Sequence, residues 1–201
     1  MNAETFAIKN IREFADSELI ATSLAGREDS FEELVRRYHR PITAYVYRMT
    51  NDYDAALDVS QEIFIKVYNS LARYKTDYKF STWLYKISRN AAIDYLRRNS
   101  HGDVSLDLES DDETYERPLE SHTPSPELER ERSEWRSEIY TIVRQLPAAY
   151  RELILLRHSE DMSYDEIAEI TGLPLGTVKN RLFRAREMMR EMFVERGITG
   201  V

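Results

Sequence analysis

The residues best suited to chemistry lie in a basic stretch, residues 175–190, near the C-terminal end of the sequence. On a helix of 3.6 residues per turn, one narrow arc of this stretch is apolar and consists of Val178, Leu182, Ala185 and Met189. The opposite arc carries Asn180, Phe183, Arg184 and Glu187. Arginine can pair with guanine and asparagine with adenine in the major groove of DNA, while flanking hydroxyls and cations hold phosphates. The pattern therefore favours a helix that reads duplex DNA over the alternative, a solvated basic face.

The elements around this stretch have the pattern of a helix-turn-helix. Ser163 and Glu166 fit a capping box that opens a short helix, which the turn at residues 172–176 ends. Ala168 is small where two helices would cross closely, and the final helix is expected over residues 177–195. A helix-turn-helix places its second helix in the major groove. The pattern predicts DNA binding without indicating the process that it serves.

A second constellation, residues 74–98, interleaves aromatic rings with cations. The rings are Tyr74, Tyr78, Phe80, Trp83 and Tyr85, and the cations are Lys75, Lys79, Lys86 and Arg89. Unpaired bases stack on aromatic rings while cations follow the nucleic-acid backbone, so the pattern is typical of single-strand binding. The alternative is that most of these rings belong to the core, which we favour for Phe80 and Tyr85.

Helices are predicted throughout both halves of the chain. In the first half they cover residues 30–47, 52–71 and 81–98, with a polar loop at residues 74–79. Ser30 and Glu33 fit a capping box for the first helix, and Asp52 or Asp54 begins the second. In the second half, one helix follows the N-cap and first-turn pair of Ser125 and Pro126 and ends at Pro147. Another is expected over residues 150–157.

Residues 101–126 separate the two halves and differ from both in composition. Twelve carboxylates and only three arginines lie between His101 and Trp135, in a chain whose net charge is −8. Such a segment cannot bury enough apolar surface to offset the entropy lost on ordering, and we predict a flexible acidic linker. The expected architecture is all-α, with two small helical domains at residues 1–100 and 127–201, the second a helix-turn-helix.

The sequence lacks the residue patterns of an enzyme active site or a metal centre. It has no cysteine, and its four histidines, His39, His101, His122 and His158, are scattered without ligand spacing. It has neither a phosphate-binding glycine loop nor a nucleophile turn, so no catalytic residue, metal or cofactor is expected. No apolar run reaches the roughly 20 residues of a membrane span, and no signal peptide opens the chain. We expect a soluble cytoplasmic protein without direct membrane insertion.

Three segments, in this order, resemble the bacterial sigma factors of RNA polymerase. Residues 58–68, DVSQEIFIKVY, are similar to their polymerase-binding helix. Residues 80–98, FSTWLYKISRNAAIDYLRR, are similar to their promoter-melting segment. Residues 172–187, GLPLGTVKNRLFRARE, are similar to their C-terminal recognition helix. The layout of two domains with only a linker between them resembles the extracytoplasmic-function (ECF) group, the smallest sigma factors.

The resemblance implies a factor that binds core RNA polymerase, directs it to specific promoters and helps to melt the minus-10 region, while the polymerase does the chemistry. Polymerase binding is implied for Asp58, Gln61, Glu62, Phe64 and Tyr68. Contacts to minus-10 DNA are implied for the loop at residues 74–79 and for Lys79, Ser81, Thr82, Trp83, Lys86, Arg89, Asn90, Arg97 and Arg98. Contacts to the minus-35 element are implied for Thr177, Lys179, Asn180, Arg181, Phe183, Arg184 and Arg186.

The resemblance also implies an anti-sigma factor that covers these surfaces, and a bacterial cytoplasmic location or retention at the membrane by that partner. Asn180 stands where many members have serine, and the loop at residues 74–79 is poorer in glycine than is usual, so both promoter preferences stay open. The acidic linker is either a nucleic-acid mimic that occupies a polymerase channel or a solubilising tether.

Two alternative functions are also compatible with part of the sequence. A regulator that binds duplex DNA without polymerase would have no use for the motif at residues 58–68. A sigma mimic that only sequesters an anti-sigma factor would have lost its basic faces, whereas residues 79–98 and 175–190 each keep five cations against one carboxylate.

Overall fold

The computed structural model describes residues 10–75, 77–99 and 126–198, and every regular element in those ranges is helical. The α-helices are α1 (Asp16–Leu24), α2 (Glu28–Thr50), α3 (Tyr53–Ser70), α4 (Phe80–Asn99), α5 (Pro126–Gln145), α6 (Ala148–Ile154), α7 (Tyr164–Thr171) and α8 (Leu175–Glu195). The all-α prediction is confirmed for these residues. The Ser125 N-cap and all of the predicted linker except Pro126 lie outside the described residues.

The chain forms two compact units, one built mainly from residues up to Arg98 and the other mainly from residues beyond it. Across the described ranges, no helix combines the length and the apolarity that crossing a membrane requires. The same ranges contain no cluster of three or more histidine, aspartate or glutamate side chains that could hold a metal ion.

In the first unit, α2 packs against α1 and α3. The predicted capping box at its start is wrong, because α2 begins at Glu28 and Ser30 is already inside the helix. Ser30 is buried and accepts a 2.7 Å hydrogen bond from the hydroxyl of Thr22, while Glu33 binds arginine side chains. Two carboxylates in the first turn, Glu28 and Asp29, favour the earlier start because they face the positive end of the helix dipole.

The start of α3 follows the prediction. Asp52 is its N-cap, and the Asp52 carboxylate accepts a 2.9 Å hydrogen bond from the backbone N–H of Ala55. Ile63 and Val67 form a fully buried apolar stripe along α3, whereas Leu57 is half-buried. This stripe fixes which face of α3 is turned outward.

α4 begins at Phe80, one residue earlier than expected, and its first turns supply the aromatic core of the first unit. Phe80 and Tyr85 are both buried, which confirms that these two rings belong to the core. The ring of Tyr85 meets that of Tyr45 on α2 edge-on at 5.3 Å between centroids. Leu84 is also fully buried, so α4 lies against the bundle along this side.

In the second unit, α8 packs against α5 and α6. α6 begins at Ala148, two residues earlier than expected, because Pro147 takes the N-cap position and ends the preceding segment. The helix continues into a π-turn over Leu155–Ser159. The buried run of Leu153, Ile154, Leu155 and Leu156 forms the centre of this unit.

The predicted capping box before α7 is confirmed in both directions. The backbone N–H of Glu166 donates to the Ser163 hydroxyl at 3.2 Å, and the Glu166 carboxylate accepts from the N–H of Ser163 at 2.8 Å. Gly172 follows α7 with a φ of +70°, a backbone conformation that glycine adopts without strain. α8 begins at Leu175, two residues earlier than expected, because the Pro174 carbonyl already accepts from the N–H of Thr177 at 2.8 Å.

Candidate functional sites

The exposed face of α8 is the strongest candidate for contact with nucleic acid. Val178, Leu182 and Ala185 are fully buried, so packing fixes the rotation of the helix. Outward-facing side chains with exposed surfaces are Lys179, Asn180, Phe183, Arg184 and Arg186, and Phe183 is 62% exposed. Thr177 and Arg181 are half-buried on the flanks, as is Met189 of the predicted apolar arc. An exposed phenylalanine among cations and an amide has little structural use, which favours a binding role.

Two residues on neighbouring elements extend this basic surface, and the sequence reasoning missed both. The guanidinium of Arg157 lies over the ring of Tyr164 at 5.3 Å and donates to the carbonyl of Met162 at 2.9 Å. Arg186 donates to the hydroxyl of Tyr164 at 3.4 Å. That hydrogen bond, with the nearby positive charges of Arg186, Arg157 and Lys179, lowers the pKa of Tyr164 below its ordinary value. Tyr164 lies within the capping box of Ser163 and Glu166, and that pattern was the available signal for it.

A cleft lies beside the first turns of α8, between that helix and α6. Its lining residues are Tyr150, Gly176, Thr177, Asn180, Arg181 and Arg184. Five of the six come from α8 and four of them were expected to contact DNA. The sixth, Tyr150, belongs to no motif, and only the packing of α6 against α8 brings it here.

An apolar groove lies on another side of the second unit. Its lining includes the exposed side chains of Trp135 and Ile139 and the buried ring of Phe193. His158 lies at its edge, where burial and the charges of Arg186 and Arg157 lower the pKa of the imidazole. A surface of this kind suits an apolar segment of another protein.

The outward face of α3 carries the residues expected to bind polymerase, with one exception. Asp58, Gln61, Glu62 and Tyr68 are exposed, and Tyr68 packs edge-on against Phe31 at 4.9 Å. Phe64 points inward instead, only 8% exposed, and its ring stacks near His39 at 6.0 Å.

Ile65 completes this face and was missed by the sequence reasoning. It is 61% exposed and follows Gln61 by four residues, so both lie on the same side of α3. The helical period could have identified it, since Ile65 lies seven residues, or about two turns, after Asp58 and so on the same face. The face therefore combines acidic, amide and apolar groups.

A cluster of aromatic rings lies where the loop at residues 74–79 joins α4. Trp83 is half-buried, and its ring lies 5.4 Å from that of Tyr74 and 5.8 Å from that of Phe80. The hydroxyl of Tyr74 donates to the carbonyl of Tyr78 at 2.7 Å, which ties the two ends of the loop together. Tyr78 is 50% exposed. Phe80 supports the cluster from inside while Tyr74, Tyr78 and Trp83 present partly open ring faces.

The polar residues of α4 divide between surface and core. Lys79, Asn90, Arg97 and Arg98 are exposed, and Ser81, Lys86 and Arg89 are half-buried. Arg97 lies 3.8 Å from the carboxylate of Asp94, and Arg98 donates to the Asp94 carbonyl at 3.3 Å, so both stay close to the helix surface. Thr82 is only 1% exposed, and this conformation leaves it no surface for a base.

Comparison with known proteins gives the family. The sigma-70 region 2 model matches residues 34–102, and the sigma-70 region 4 model matches residues 136–189. The chain is 34% identical to the RNA polymerase sigma-H factor of Pseudomonas aeruginosa, over 86% of this chain and 90% of that protein. It is equally identical to the ECF RNA polymerase sigma-E factor of Haemophilus influenzae, over 88% and 94% of the two chains.

Solved structures agree on the fold. The sigma factor RpoE of Bartonella quintana, solved with the anti-sigma factor NepR, matches with a TM-score of 0.61 at 22% identity, over 81% of this chain and 96% of that one. CnrH, solved with the cytosolic domain of CnrY, matches with a TM-score of 0.65 at 23% identity, over 90% and 99%. With both sigma-70 regions matched in order and ECF relatives along most of its length, the chain belongs to the sigma-70 family as an ECF RNA polymerase sigma factor.

Proposed function

We propose that this chain binds core RNA polymerase through the outward face of α3, captures the melted minus-10 strand at the aromatic cluster and α4, and reads the minus-35 duplex with α8. The corresponding division is a polymerase-binding and melting domain over residues 1–100 and a minus-35 domain over residues 127–201. Sigma factors act in transcription initiation by binding, and the polymerase catalyses RNA synthesis. The chain thus contributes binding energy, which brings the polymerase to a specific promoter sequence.

The observation that carries the proposal is the division of α8 into a buried and an exposed arc. Val178, Leu182 and Ala185 hold the helix against its unit, which leaves Asn180 and Arg184 facing outward. These two side-chain types pair bidentately with adenine and guanine. Lys179 and Arg186 flank them at positions suited to phosphates, and Phe183 can contact a thymine methyl group.

The aromatic cluster supports capture of unpaired bases. Tyr74, Tyr78 and Trp83 offer partly exposed rings, and each base stacked on such a ring gains about 1–3 kcal/mol. Exposed cations at Arg97 and Arg98 lie further along α4, where they can follow the phosphates of the same strand. The buried Thr82 is left out of this surface, and Phe64 is left out of the polymerase-binding face.

An anti-sigma factor is the proposed protein partner. One structural neighbour of this chain, RpoE, was solved in complex with the anti-sigma factor NepR. Another, CnrH, was solved with the cytosolic domain of CnrY. In this chain, the exposed Ile65 and Tyr68 of α3 and the apolar groove beside Trp135 are surfaces that a protein partner would cover. A partner anchored in the membrane would retain the chain there.

The experiment that tests the proposal is binding to core RNA polymerase followed, in the same sample, by transcription from a library of randomised promoters. We expect a stable complex and the recovery of two spaced sequence motifs. Duplex binding without polymerase binding would instead favour the stand-alone regulator, and polymerase binding without any recovered motif would contradict promoter reading by α8.

A further inference from the structure

We propose that the hydroxyl of Tyr150 donates a hydrogen bond to a DNA phosphate beside the bases read by Asn180 and Arg184. α6 would then contact DNA together with the two helices of the helix-turn-helix. This inference rests on the proposed reading of duplex DNA by α8 and adds a contact that no sequence motif indicates.

The cleft between α6 and α8 brings Tyr150 to the recognition surface. It is half-buried and lines the cleft with Thr177, Asn180, Arg181 and Arg184. Among the described residues, none forms a hydrogen bond with the Tyr150 hydroxyl. A tyrosine hydroxyl that shares a cleft with two arginines and has no hydrogen-bond partner among the described residues is available to an anionic ligand that those arginines attract.

The frame that holds Tyr150 is rigid. α6 starts directly after Pro147, and the backbone N–H of Tyr150 donates to the Pro147 carbonyl at 2.8 Å. The neighbouring Arg151 guanidinium donates to the carbonyls of Arg144 at 2.9 Å and Leu146 at 3.2 Å, which fixes the end of α5 to the start of α6. Because this corner is already ordered, little entropy is lost when Tyr150 meets its ligand.

The position of Tyr150 favours a phosphate over a base edge. Base edges lie on the groove floor, which the recognition helix reaches, while elements beside that helix meet the phosphates of the groove wall. Tyr150 comes from α6 and borders the flank of α8 at Arg181 and Thr177. A neutral donor there would fix the register of α8 without sequence preference of its own.

The test uses the full chain bound to core polymerase and a promoter duplex obtained from the library. Phosphates around the minus-35 element are replaced one at a time by neutral methylphosphonates. We expect Tyr150→Phe to weaken binding to unmodified DNA by about 3–10-fold, the range of one net hydrogen bond. At one phosphate, methylphosphonate should weaken the wild type more than it weakens Tyr150→Phe, and the difference should match the factor lost on Tyr150→Phe itself.

Two comparisons separate this contact from other effects. Tyr47→Phe is the matched control, since Tyr47 is a half-buried tyrosine of the first unit whose ring meets that of Tyr53 edge-on at 6.2 Å. This variant should bind as the wild type does. Arg181→Gln should reduce the slope of log K against log salt by about 1, whereas Tyr150→Phe should leave the slope unchanged because it removes no charge.

The outcomes distinguish this inference from the function on which it rests. A wild-type complex that binds no promoter duplex would overturn both. A wild-type complex that binds, with Tyr150→Phe equal in affinity and equally sensitive at every phosphate, would overturn the Tyr150 contact alone. A change in base preference on Tyr150→Phe would also overturn it, since a phosphate contact carries no sequence information.

Discussion

The hydroxyl of Tyr95 on α4 donates a 2.7 Å hydrogen bond to Oδ2 of Asp52, whose other carboxylate oxygen caps the start of α3. One carboxylate therefore joins the helix proposed to bind polymerase to the helix proposed to bind melted DNA. Both oxygens have defined donors, so Asp52 fixes the two helices relative to each other within the first unit.

Loss of this junction should lower the stability of the first unit. We expect Tyr95→Phe to reduce the free energy of unfolding by about 0.5–1.5 kcal/mol, the net contribution of one hydrogen bond. Asp52→Ala should cost about 1–3 kcal/mol because it removes the cap of α3 as well. Urea unfolding of both variants and of the double variant measures the coupling. Strictly additive losses would contradict a direct Tyr95–Asp52 interaction.

The junction between α1 and α2 should make stability depend on pH. Glu33 is 5% exposed, and its hydrogen bonds from Arg36 and then Arg37 lower its pKa from 4.5 to about 2, against the opposing effect of burial. Arg37 also donates to the Asp16 carboxylate at 2.9 Å, which joins α1 to the same network.

Because the unfolded chain protonates Glu33 near pH 4.5 and the folded chain only near pH 2, its contribution is present above pH 4.5 and is lost as pH falls from 4.5 toward 2. Glu33→Gln should be less stable than the wild type at neutral pH, and the difference should shrink across that window. Urea midpoints measured from neutral pH down to about pH 3 test this sign. A difference that stays constant would exclude Glu33 as the titrating group.

Removal of a base-reading side chain on α8 should relax sequence preference. Arg184→Ala should weaken binding of the polymerase complex to the minus-35 duplex by about 1–3 kcal/mol and reduce discrimination at one base pair. Lys179→Ala is the control, since loss of a phosphate contact weakens binding to all sequences alike. Competition binding with a panel of single-base promoter variants distinguishes the two. Equal losses on every variant would contradict base reading by Arg184.

The outward face of α3 should affect polymerase binding and leave DNA reading intact. We expect the Gln61→Ala, Glu62→Ala double variant and, separately, Ile65→Asp to weaken the complex with core polymerase. All three side chains are exposed, so the free energy of unfolding should change by less than about 0.5 kcal/mol. Arg184→Ala is the reciprocal control and should bind polymerase normally. Equal loss of polymerase affinity in Arg184→Ala would contradict the division into separate surfaces.

The sequence predicted a helix start correctly where the capping side chain accepts from the backbone of its own helix. Asp52 and Ser163 cap their helices as expected, because each accepts from the backbone N–H three residues ahead. Ser30 has the same spacing to a glutamate but lies inside α2, where its hydroxyl accepts from Thr22 of α1 and Glu33 accepts from Arg36 one turn further along the same helix. A capping box is a pattern of four residues, and the contacts that compete with it here involve residues outside those four.

Side-chain direction was predicted where an apolar stripe defines the helix face. Val178, Leu182 and Ala185 fix the rotation of α8, and Asn180 and Arg184 are exposed as the helical period requires. Family resemblance alone placed Phe64 and Thr82 on binding surfaces, and both are buried. Tyr150 was missed because the cleft that contains it depends on the packing of α6 against α8, which no periodicity within one helix reveals.

The aromatic cluster should act after promoter binding, at the melting step. Trp83 contacts Tyr74 and Phe80 and is half-buried, so an unpaired base can stack on its open side. Trp83→Ala should reduce open-complex formation on duplex promoters by about 5–150-fold, the factor that corresponds to one lost stack of about 1–3 kcal/mol. Binding of the polymerase to the closed promoter should remain.

A template already melted around the minus-10 element separates capture from opening. Trp83 stabilises the strand itself, so Trp83→Ala should still bind this template more weakly than the wild type does. Trp135→Ala, which removes the only other tryptophan, controls for loss of a large ring at a site outside the cluster. Permanganate reactivity of unpaired thymines and urea unfolding of each variant complete the measurement. Normal opening by a stably folded Trp83→Ala variant would exclude the ring as a stacking surface, and the strand would then depend on Tyr74, Tyr78 and the cations of α4.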